Sequence, residues 1–452
     1  MTSGIQGDGR PRVVIVGGGF GGLSAADTLA KAPVYVTLID QKNYHTFQPL
    51  LYQVATAGLS PGEIAAPLRS ILRSRNNVEV LMAEVTGFDL TRRTVKTRET
   101  EIPYDYLIVA AGARHSYFGH NEWEPYAPGL KTVEDAIEIR RRVLLAFEVA
   151  ERNTFAGEVA PPLNFVIVGG GPTGVELAGT LAEICHHALT HEFRSIDPKR
   201  AHILLLEGGA RVLPTYSEDL SRSAEEQLKH LGVDVRTSTM VDGIEPGAVH
   251  FGSSRMPAAV ILWAAGVAAS GLGKELGAPV DRDGRVSVLS DCSIPGHPEV
   301  FVIGDLAAHK DERGKLLPGV AQVAIQQGRF AARLIRREVE SHAAAGARSA
   351  FHYHDKGNLA TIGRAAAIAE IGKFHISGFI AWVTWLFVHI FFLIGFRNRV
   401  LVFIQWAWSY FTYERSARLI TGSTELPGWT GTTRSPAAPK TVPEENRSRA
   451  AD

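Results

Sequence analysis

The pattern of apolar and polar positions in the first forty residues predicts two strands and one helix. Residues 12–16 form an apolar run, a helix-like segment covers residues 23–31, and a second apolar run begins at Val34 and ends in Asp40. A glycine-rich turn separates the first run from the helical segment. Short apolar runs on both sides of a helical segment are typical of parallel strands joined by a crossover helix.

The turn itself carries a candidate nucleotide site. Gly17, Gly19 and Gly22 stand at GxGxxG spacing, where they allow a tight turn, backbone approach to a pyrophosphate and close packing of helix on strand. The N-terminus of the helix offers unpaired N–H groups and partial positive charge to phosphates. Asp40 follows the loop by about 20 residues, where a carboxylate can bind an adenosine ribose. The stretch therefore predicts a dinucleotide site.

The same pattern returns in the middle of the chain. Residues 164–168 predict a strand, residues 175–187 a helix, and residues 202–206 a strand that ends in Glu207. A carboxylate there binds a ribose 2′-OH and repels a 2′-phosphate, so NADH is favoured over NADPH, although Arg211 lies nearby. The glycines of this second GxGxxG are Gly169, Gly171 and Gly174.

Two dinucleotide units in one chain indicate electron transfer between two bound cofactors. We expect FAD in one unit and NAD(H) in the other, because the protein must hold the nicotinamide against the flavin and the cofactors carry the hydride chemistry. The predicted fold is α/β, with two Rossmann-like dinucleotide-binding domains and a C-terminal helical membrane-anchoring region. The predicted divisions are a disordered tail at 1–11, an FAD-binding domain at 12–130 and 280–345, an NADH-binding domain at 131–279, a membrane-anchoring domain at 346–421 and a disordered tail at 422–452.

Other apolar runs complete the two units. Tyr104–Ala110 and Val260–Trp263 predict strands followed by Ala-Ala-Gly, and the small residues permit close backbone approach to a cofactor. Glu299–Ile303 predicts a buried strand before Asp305, which at the carboxyl edge of a parallel sheet points at ligand. Ala321, Gln322 and Gln326 open a helix that continues to about residue 340, with both glutamines on one face.

Two further stretches have weaker patterns. Val78–Leu81 and Thr94–Lys96 predict short strands of a small antiparallel insert. Residues 43–55 contain Pro49 among polar and aromatic residues, which favours a shaped loop over a regular element.

Composition removes several classes of function. The chain has 452 residues, with 47 basic and 47 acidic side chains, so no nucleic-acid-binding surface is indicated. Cys185 and Cys292 are the only cysteines and do not form a CxxC pair, which argues against a zinc ribbon or a local redox pair. No metal site and no transmembrane proton path are expected. Residues 1–11 do not resemble a signal peptide, so we expect the catalytic part to face the cytoplasm.

These residues together resemble the type II NADH:quinone oxidoreductases, single-subunit respiratory NADH dehydrogenases that do not pump protons, and the actinobacterial form most of all. The resemblance extends over about residues 12–420. Its most specific part is the Ala-Gln-x-Ala-x-Gln run at 321–326 combined with the apolar C-terminal region. Other matching segments lie at 47–55, 169–176, 302–305, 355–357 and 360–363.

The resemblance implies roles for individual residues. Glu176 would sit beside the nicotinamide and the flavin and assist hydride or proton handling, although a carboxylate in the first turn also complements the helix dipole. Gln322 and Gln326 would line the quinone end of the flavin. FAD would contact Gly17, Gly19, Phe20, Gly22, Asp40, Gln48, Ala111, Gly112, Asp305, Ala321 and Gln322; NADH would contact Gly169, Gly171, Gly174, Glu207 and Gly266.

The C-terminal region indicates a lipid-soluble acceptor. Residues 376–396 contain no Lys, Arg, Asp or Glu, and as one helix they would measure about 31 Å, enough for a hydrocarbon core of about 30 Å. The second run, 400–413, is too short to return, and Arg397 and Arg399 follow the first run directly. Two helices in the membrane interface are therefore favoured over a single span or a buried soluble helix. A homodimer through these helices is a family-level expectation.

The sequence leaves two rival functions open. A sulfide:quinone oxidoreductase would need cysteine chemistry that two distant cysteines barely supply. A redox-sensing scaffold would bind FAD and NADH without turnover. A soluble ferredoxin or rubredoxin reductase would not need residues 376–413. The sequence does not distinguish menaquinone from ubiquinone, or a ping-pong mechanism from a ternary complex.

Overall fold

The computed structural model describes residues 9–190, 192–341, 348–412, 415 and 417–429. The helices in these ranges are α1 Phe20–Leu29, α2 Leu51–Ala55, α3 Pro61–Ile64, α4 Leu68–Leu72, α5 Val133–Phe155, α6 Pro172–Glu183, α7 Glu218–His230, α8 Ala321–Ser341, α9 Phe379–Phe392 and α10 Phe396–Thr412. The strands are β1 Arg12–Val16, β2 Tyr35–Asp40, β3 Tyr44–Thr46, β4 Ala65–Pro67, β5 Val78–Met82, β6 Val85–Asp89, β7 Thr94–Thr97, β8 Glu101–Pro103, β9 Tyr106–Val109, β10 Ala113–His115, β11 Asn164–Val168, β12 His202–Leu206, β13 Val233–Arg236, β14 Val241–Glu245, β15 Ala248–Phe251, β16 Ser254–Pro257, β17 Val260–Trp263, β18 Val267–Ala269, β19 Val286–Ser287, β20 Ser293–Ile294, β21 His297–Val302, β22 Ala307–Ala308, β23 Asn358–Gly363, β24 Ala366–Ile371 and β25 Phe374–Ser377.

The larger sheet has the order β20-β21-β9-β1-β2-β5. All neighbours except β20 and β21 run parallel. The side chains of β1 from Val13 to Val16 are buried, as expected for a parallel strand covered on both faces. Helices α1 and α8 pack against each other over this sheet. The predicted parallel, two-unit α/β fold is confirmed.

A second parallel sheet has the order β13-β12-β11-β17 and repeats the strand-loop-helix-strand unit. The antiparallel sheet β14-β15-β16 follows β13. The chain passes between the two parallel sheets through β10 and β18, which pair antiparallel. Strands from both ends of the first unit share one sheet, and the domain limits stated above stay a prediction.

The interpretation of Val78–Leu81 as part of an antiparallel insert is wrong. This segment forms β5, the parallel edge strand beside β2. The amide of Asn77 explains the placement, because it donates to the carbonyls of Leu29, Ala32 and Val34 and fixes the start of β5 to the turn after α1. The antiparallel insert is instead β6-β7-β8.

The segment at 43–55 is more regular than the sequence predicts. It contains β3, a 3₁₀ turn at Gln48–Leu50 and α2. Pro49 lies in the first turn of this short helical stretch, where its missing N–H breaks no helical hydrogen bond.

The predicted single helix over 376–396 is wrong. Residues Phe374–Ser377 form β25, which pairs with β24, and Gly378 turns the chain at φ +71°. Helix α9 then covers 14 residues, about 21 Å. Helix α10 begins at Phe396, earlier than predicted, and Tyr413 lies outside the described residues. Among the helices described, none has both the length and the apolar character needed to cross a bilayer.

The predicted disorder from residue 422 onward is wrong for residues 422–429. The Arg141 guanidinium on α5 donates to the backbone carbonyls of Ser423 and Glu425, both at 2.8 Å. Leu426 is buried, and the indole of Trp429 donates to the carbonyl of Ala258. This segment, here called the C-terminal strap, packs on α5 and on the turn between β16 and β17; residues 430–452 lie outside the described part.

Helix α6 and strand β23 approach so closely that we predict a strong effect of one methyl group. A Cβ on Gly179 would lie 1.6 Å from the carbonyl oxygen of Ile362. Gly179→Ala should therefore lower the free energy of unfolding by about 1–3 kcal/mol or more through overpacking. Gly62→Ala is the matched control, because no atom lies within 4 Å of its Cβ position. Equal thermal unfolding of the two variants would contradict the prediction.

Candidate dinucleotide and quinone sites

The first glycine loop has the close packing that its spacing predicts. Gly17 adopts φ +103°, a conformation that favours glycine. A Cβ on Gly22 would lie 1.8 Å from the Gly17 carbonyl oxygen. Because no side chain fits there, α1 begins directly behind the loop, with Gly19 as its N-cap.

Asp40 anchors this loop from the end of β2. One carboxylate oxygen accepts the Gly18 N–H at 2.6 Å and the other accepts the Lys42 N–H at 2.7 Å. Burial raises the pKa of Asp40, and the two backbone donors oppose that shift. The carboxylate thus fixes the loop and also lines the groove beside it.

The second loop repeats this arrangement. Gly169 has φ +107°, and a Cβ on Gly174 would lie 1.8 Å from its carbonyl oxygen. The carboxylate of Glu207 accepts the N–H groups of Gly170 and Gly209, both at 2.6 Å. The structural repeat therefore includes the loop, the helix start and the anchoring acid.

A groove of about 270 Å³ runs along the first loop, close to the lower end of the range for ligand sites (~300–1,000 Å³). Two of the residues expected at FAD lie elsewhere: Gly22 packs behind the loop, and Gln322 faces residues 356–357. The expected residues that do line the groove are Gly17, Gly19, Phe20, Asp40, Gln48, Ala111, Gly112, Asp305 and Ala321.

Several groove residues were not predicted. Lys42, Tyr44, Lys131 and Thr132 line it beside the glycine loop. Lys42 and Tyr44 both donate to the carboxylate of Glu134, and Lys131 lies 3.9 Å from Asp305. The start of α5 therefore forms one wall. The sequence indicates where α5 begins, because Thr132 and Asp135 form a capping box. No sequence pattern indicates that this end of α5 lies beside the groove.

Glu176 lies on α6, one turn after the second loop. Its side chain is half-buried, and desolvation raises its pKa well above the ordinary value, opposed by a hydrogen bond from the backbone of Thr361. Burial therefore favours the protonated form of this carboxyl. A protonated carboxyl near a cofactor can donate a proton during a reaction.

The two glutamines of α8 share one face, as predicted, but their amides are already hydrogen-bonded. Gln322 donates to the carbonyl of Gly357 and accepts the N–H of Lys356. Gln326 makes the same pair of bonds with the backbone of His354. These amides hold the chain segment that leads into β23, and a quinone contact would come from their exposed edges.

Gly266 lies beside β18 where the chain returns to the first unit. A Cβ there would lie 2.6 Å from the ring of Phe118 and 2.9 Å from the carbonyl of Ser116. Phe118 is among the exposed large apolar side chains. Gly266 thus permits the segment that follows β10 to pack closely against the segment that leads into β18, next to the end of β17.

Both cysteines are buried and free. Burial raises the pKa of Cys185 to about 12 and raises that of Cys292 further, with the Asp291 charge adding to the second shift. They lie in different hydrophobic clusters. Neither thiol is a nucleophile at neutral pH, since the thiolate is the reactive form.

Helices α9 and α10 expose much of their apolar surface. On α10 the exposed residues recur at helical spacing, which gives one continuous apolar stripe. The other sides of both helices cover the core through Trp385 and Val402. The exposed residues are Phe379, Ile380, Phe387, Phe391 and Phe392 on α9 and Phe396, Val400, Phe403, Ile404, Trp408 and Phe411 on α10.

Comparison with known proteins agrees with this architecture. Residues 11–328 match the family model described as pyridine nucleotide-disulphide oxidoreductase. The structure of NDH2 from Plasmodium falciparum in complex with NADH has a similar fold, with a TM-score of 0.78 over 90% of this chain and 99% of that chain at 21% identity. The fold and the two glycine loops place the chain in the class of two-dinucleotide oxidoreductases.

The C-terminal part narrows the class. Residues 355–413 match the NDH2 C-terminal domain. The chain is 44% identical over 427 residues to the type II NADH:quinone oxidoreductase NdhA of Mycobacterium tuberculosis, covering 91% of this chain and 90% of the relative. It is also 44% identical to the enzyme Ndh of the same organism, with the same coverage. The chain belongs to the type II NADH:quinone oxidoreductases.

Proposed function

We propose that this chain oxidises NADH and reduces a membrane quinone at the cytoplasmic face of a membrane, without pumping protons. The observation that carries the proposal is the duplicated loop-and-acid unit, Asp40 with Gly18 and Glu207 with Gly170, in one chain with an exposed apolar helix pair. When bound, FAD accepts a hydride from NADH and delivers two electrons to a quinone.

The groove along the first loop fits FAD. It is lined by the backbone of Gly17–Gly19, where side chains would block a pyrophosphate, and by the N-terminus of α1, which favours anionic groups. Asp40 and Asp305 offer carboxylates to hydroxyl groups, and Phe20, Gln48, Ala111, Gly112 and Ala321 complete the wall. Gly22 contributes by allowing α1 to begin close to the loop.

The second loop is the place for NADH. Gly169, Gly171 and Gly174 leave space at the start of α6, where Pro172 occupies the first turn. Glu207 presents a negative charge to the adenosine ribose and thereby disfavours a 2′-phosphate. Gly266 lies at the turn between the two units.

The residues between the two sites handle protons and quinone. Glu176, whose half-buried carboxyl favours the protonated form, is the proton donor. Gln322 and Gln326 position the segment at 354–357 and offer their outer edges to the quinone. These roles follow the family resemblance and the burial of Glu176; a homodimer through the C-terminal helices stays a prediction.

The apolar stripe of α10 and the exposed phenylalanines of α9 favour attachment within the interface of one leaflet. Apolar side chains gain about 25 cal/mol per Å² on leaving water. Arg397 and Arg399 at the start of α10 can reach headgroup phosphates. The rival sulfide reaction has no support, because both thiols are buried and protonated.

The central prediction concerns flavin absorbance of the purified, detergent-solubilised protein under anaerobic conditions. NADH should bleach the flavin band, and a short-chain quinone added next should restore it. Bleaching without recovery would remove the quinone from the proposal and leave an NADH reductase with another acceptor. Bleaching by sulfide would support the rival enzyme, and no bleaching by either donor would support the scaffold.

We predict that Glu207 determines the preference for NADH over NADPH. Glu207→Gln removes a charged acceptor, which is worth about 1.5–3 kcal/mol, so KM for NADH should rise about tenfold or more and discrimination against NADPH should fall. Glu218→Gln changes an exposed carboxylate and serves as the control. Steady-state kinetics with both cofactors measure the effect. Unchanged ratios in Glu207→Gln would exclude this residue as the determinant.

Membrane attachment should depend on the stripe of α10. Phe403 and Phe411 are 49% and 80% exposed, so Phe403→Ser with Phe411→Ser should weaken partition onto vesicles by about tenfold or more. Phe155→Ser is the matched control, since this phenylalanine is 84% exposed at the end of α5. Co-sedimentation with lipid vesicles measures the partition, and equal losses in both proteins would refute the assignment.

A further inference from the structure

A second cavity of about 100 Å³ lies under the membrane helices and shares no residue with the FAD groove. Helices α2 and α6 and strand β23 form one side of it, and α9 and α10 form the other. The covering side chains from α9 and α10 are mostly aromatic. The charged, amide and hydroxyl side chains that line it are Tyr52, Gln53, Thr180, Glu183, Thr361, Arg364, Ser409, Tyr410 and Arg415.

A buried ion pair forms one wall of this cavity. Arg415 donates to Glu183 at 2.9 Å and to the Thr56 carbonyl at 3.0 Å, and the other oxygen of Glu183 accepts the backbone N–H of Arg364. Each charged group thus has several partners, as a buried pair requires. The lining also carries the guanidinium of Arg364, which lies over the ring of Tyr410, so two cationic side chains and one carboxylate line the cavity.

A chain of hydrogen bonds forms the opposite wall. The indole of Trp406 donates to the Gln53 side-chain oxygen at 2.7 Å, and the Gln53 amide donates to the Tyr52 hydroxyl at 2.8 Å. These bonds leave the Tyr52 hydroxyl proton free to be donated further.

One donor that lines the cavity has no protein partner among the described residues. Trp385 is 2% exposed, and its indole N–H makes no hydrogen bond. A buried donor without a partner is costly, so the site calls for a polar occupant. A cavity of this size with several polar groups is large enough for several ordered waters.

The cavity and Glu176 lie along one face of α6. Glu176, Thr180 and Glu183 lie at i, i+4 and i+7 and share that face, and Thr180 and Glu183 line the cavity. The Thr180 hydroxyl donates to the main-chain carbonyl of Glu176 at 2.5 Å. Tyr52 reaches the same region from α2, which packs on α6. Burial, and then the charge of Glu176, raise the pKa of Tyr52 far above its ordinary value.

The proposed reaction needs such a connection. NADH supplies two electrons and one proton as a hydride, and a quinone that becomes a quinol forms two O–H bonds. The second proton must therefore come from water. If Glu176 donates it, the carboxylate left behind has to be reprotonated from solvent in the protein interior before the next turnover.

We propose that the cavity under α9 and α10 is the water-filled inlet for this proton, and that Tyr52, oriented by Gln53, passes it to Glu176. This inference rests on the proposed function. The O–H bond of Tyr52 breaks as the O–H bond of the Glu176 carboxyl forms; a cavity water then protonates the Tyr52 oxygen and is itself reprotonated from bulk solvent. Tyr52 is a positioning residue, because it acts through Glu176 and not on the quinone.

The groups that face Glu176 come from four elements. Tyr52 approaches from α2, Tyr216 from the segment before α7, and the backbone of Thr361 from β23. Glu183 stands two turns away on α6 itself. Tyr216 also interacts with Glu176, but it does not line the cavity. It therefore provides a matched control.

The test separates the two half-reactions by stopped-flow absorbance of the flavin. Tyr52→Phe removes one hydroxyl and keeps the ring. Reduction by NADH should be unchanged. Reoxidation by a short-chain quinone should match the unmodified protein at pH 6 but be about tenfold slower at pH 8.5, because reprotonation then limits the rate. The solvent isotope effect on reoxidation should increase in the same variant.

Two comparisons keep the outcome interpretable. Tyr216→Phe should behave like the unmodified protein. Ser409→Leu, a change in the half-buried wall on α10, narrows the cavity without touching Tyr52 and should reproduce the loss at high pH. Flavin content and thermal unfolding verify that each variant is folded.

The inlet and the proposed donor can fail separately. If Glu176→Gln slows reoxidation at every pH while Tyr52→Phe and Ser409→Leu keep the unmodified pH profile and isotope effect, the inlet is overturned and the donor role stands. If Glu176→Gln leaves reoxidation unchanged, the donor role fails and the inlet fails with it. If the loss at high pH appears in Tyr216→Phe as well as in Tyr52→Phe, the effect is general packing and the inlet is overturned.

Discussion

The contact between two glycines of one loop determines where everything else in each unit can lie. The carbonyl oxygen of Gly17 occupies the position of a Cβ on Gly22, and Gly169 and Gly174 repeat this contact at the same distance. Only this approach lets a helix begin at the carboxyl end of the first strand. Its free N–H groups then face the ligand, and the acid that ends the next strand holds the second residue of the loop. The groove and the position of Glu176, one turn into α6, both follow from it.

Local rules were sufficient for the parts of the fold built from such units. The strands before both loops, the acids Asp40 and Glu207, and the helix with Gln322 and Gln326 lie where periodicity and glycine spacing predict them. Each of these depends on neighbours within about forty residues. The same locality explains the errors. A run such as Val78–Met82 has the same apolar pattern in a parallel edge strand and in a hairpin. Only the Asn77 amide distinguishes the two arrangements, because it donates to three carbonyls more than forty residues away in the chain.

The candidate sites also contain some residues that the sequence could predict and others that it could not. Nine of the groove residues could be assigned from motif and resemblance, because the backbone and short side chains that contact a dinucleotide are part of the motif. Lys131 and the second cavity could not, because they depend on how α5, α9 and α10 dock. Arg415 illustrates this: it belongs to no local pattern, yet it pairs with a glutamate 232 residues earlier in the chain. Burial of that pair is a property of the tertiary structure alone.

The two C-terminal helices have two roles: an apolar surface on their exposed side, and a cover for the cavity on their protein side. On its exposed side, α10 presents an apolar stripe that is mainly phenylalanine and isoleucine; on the protein side, Trp385 and Trp406 cover a cavity lined by an ion pair. A continuous apolar helix over 376–396 would provide the apolar surface but would not cover the cavity. The break at Gly378 and the short α9 allow β25 to extend the sheet under the helices, which fixes their inner faces. The chain then returns through Arg415 and the C-terminal strap to α5, where Arg141 holds it. The chain that follows the helix pair is thus tied to α5, and the polar wall of the cavity stays in contact with α6.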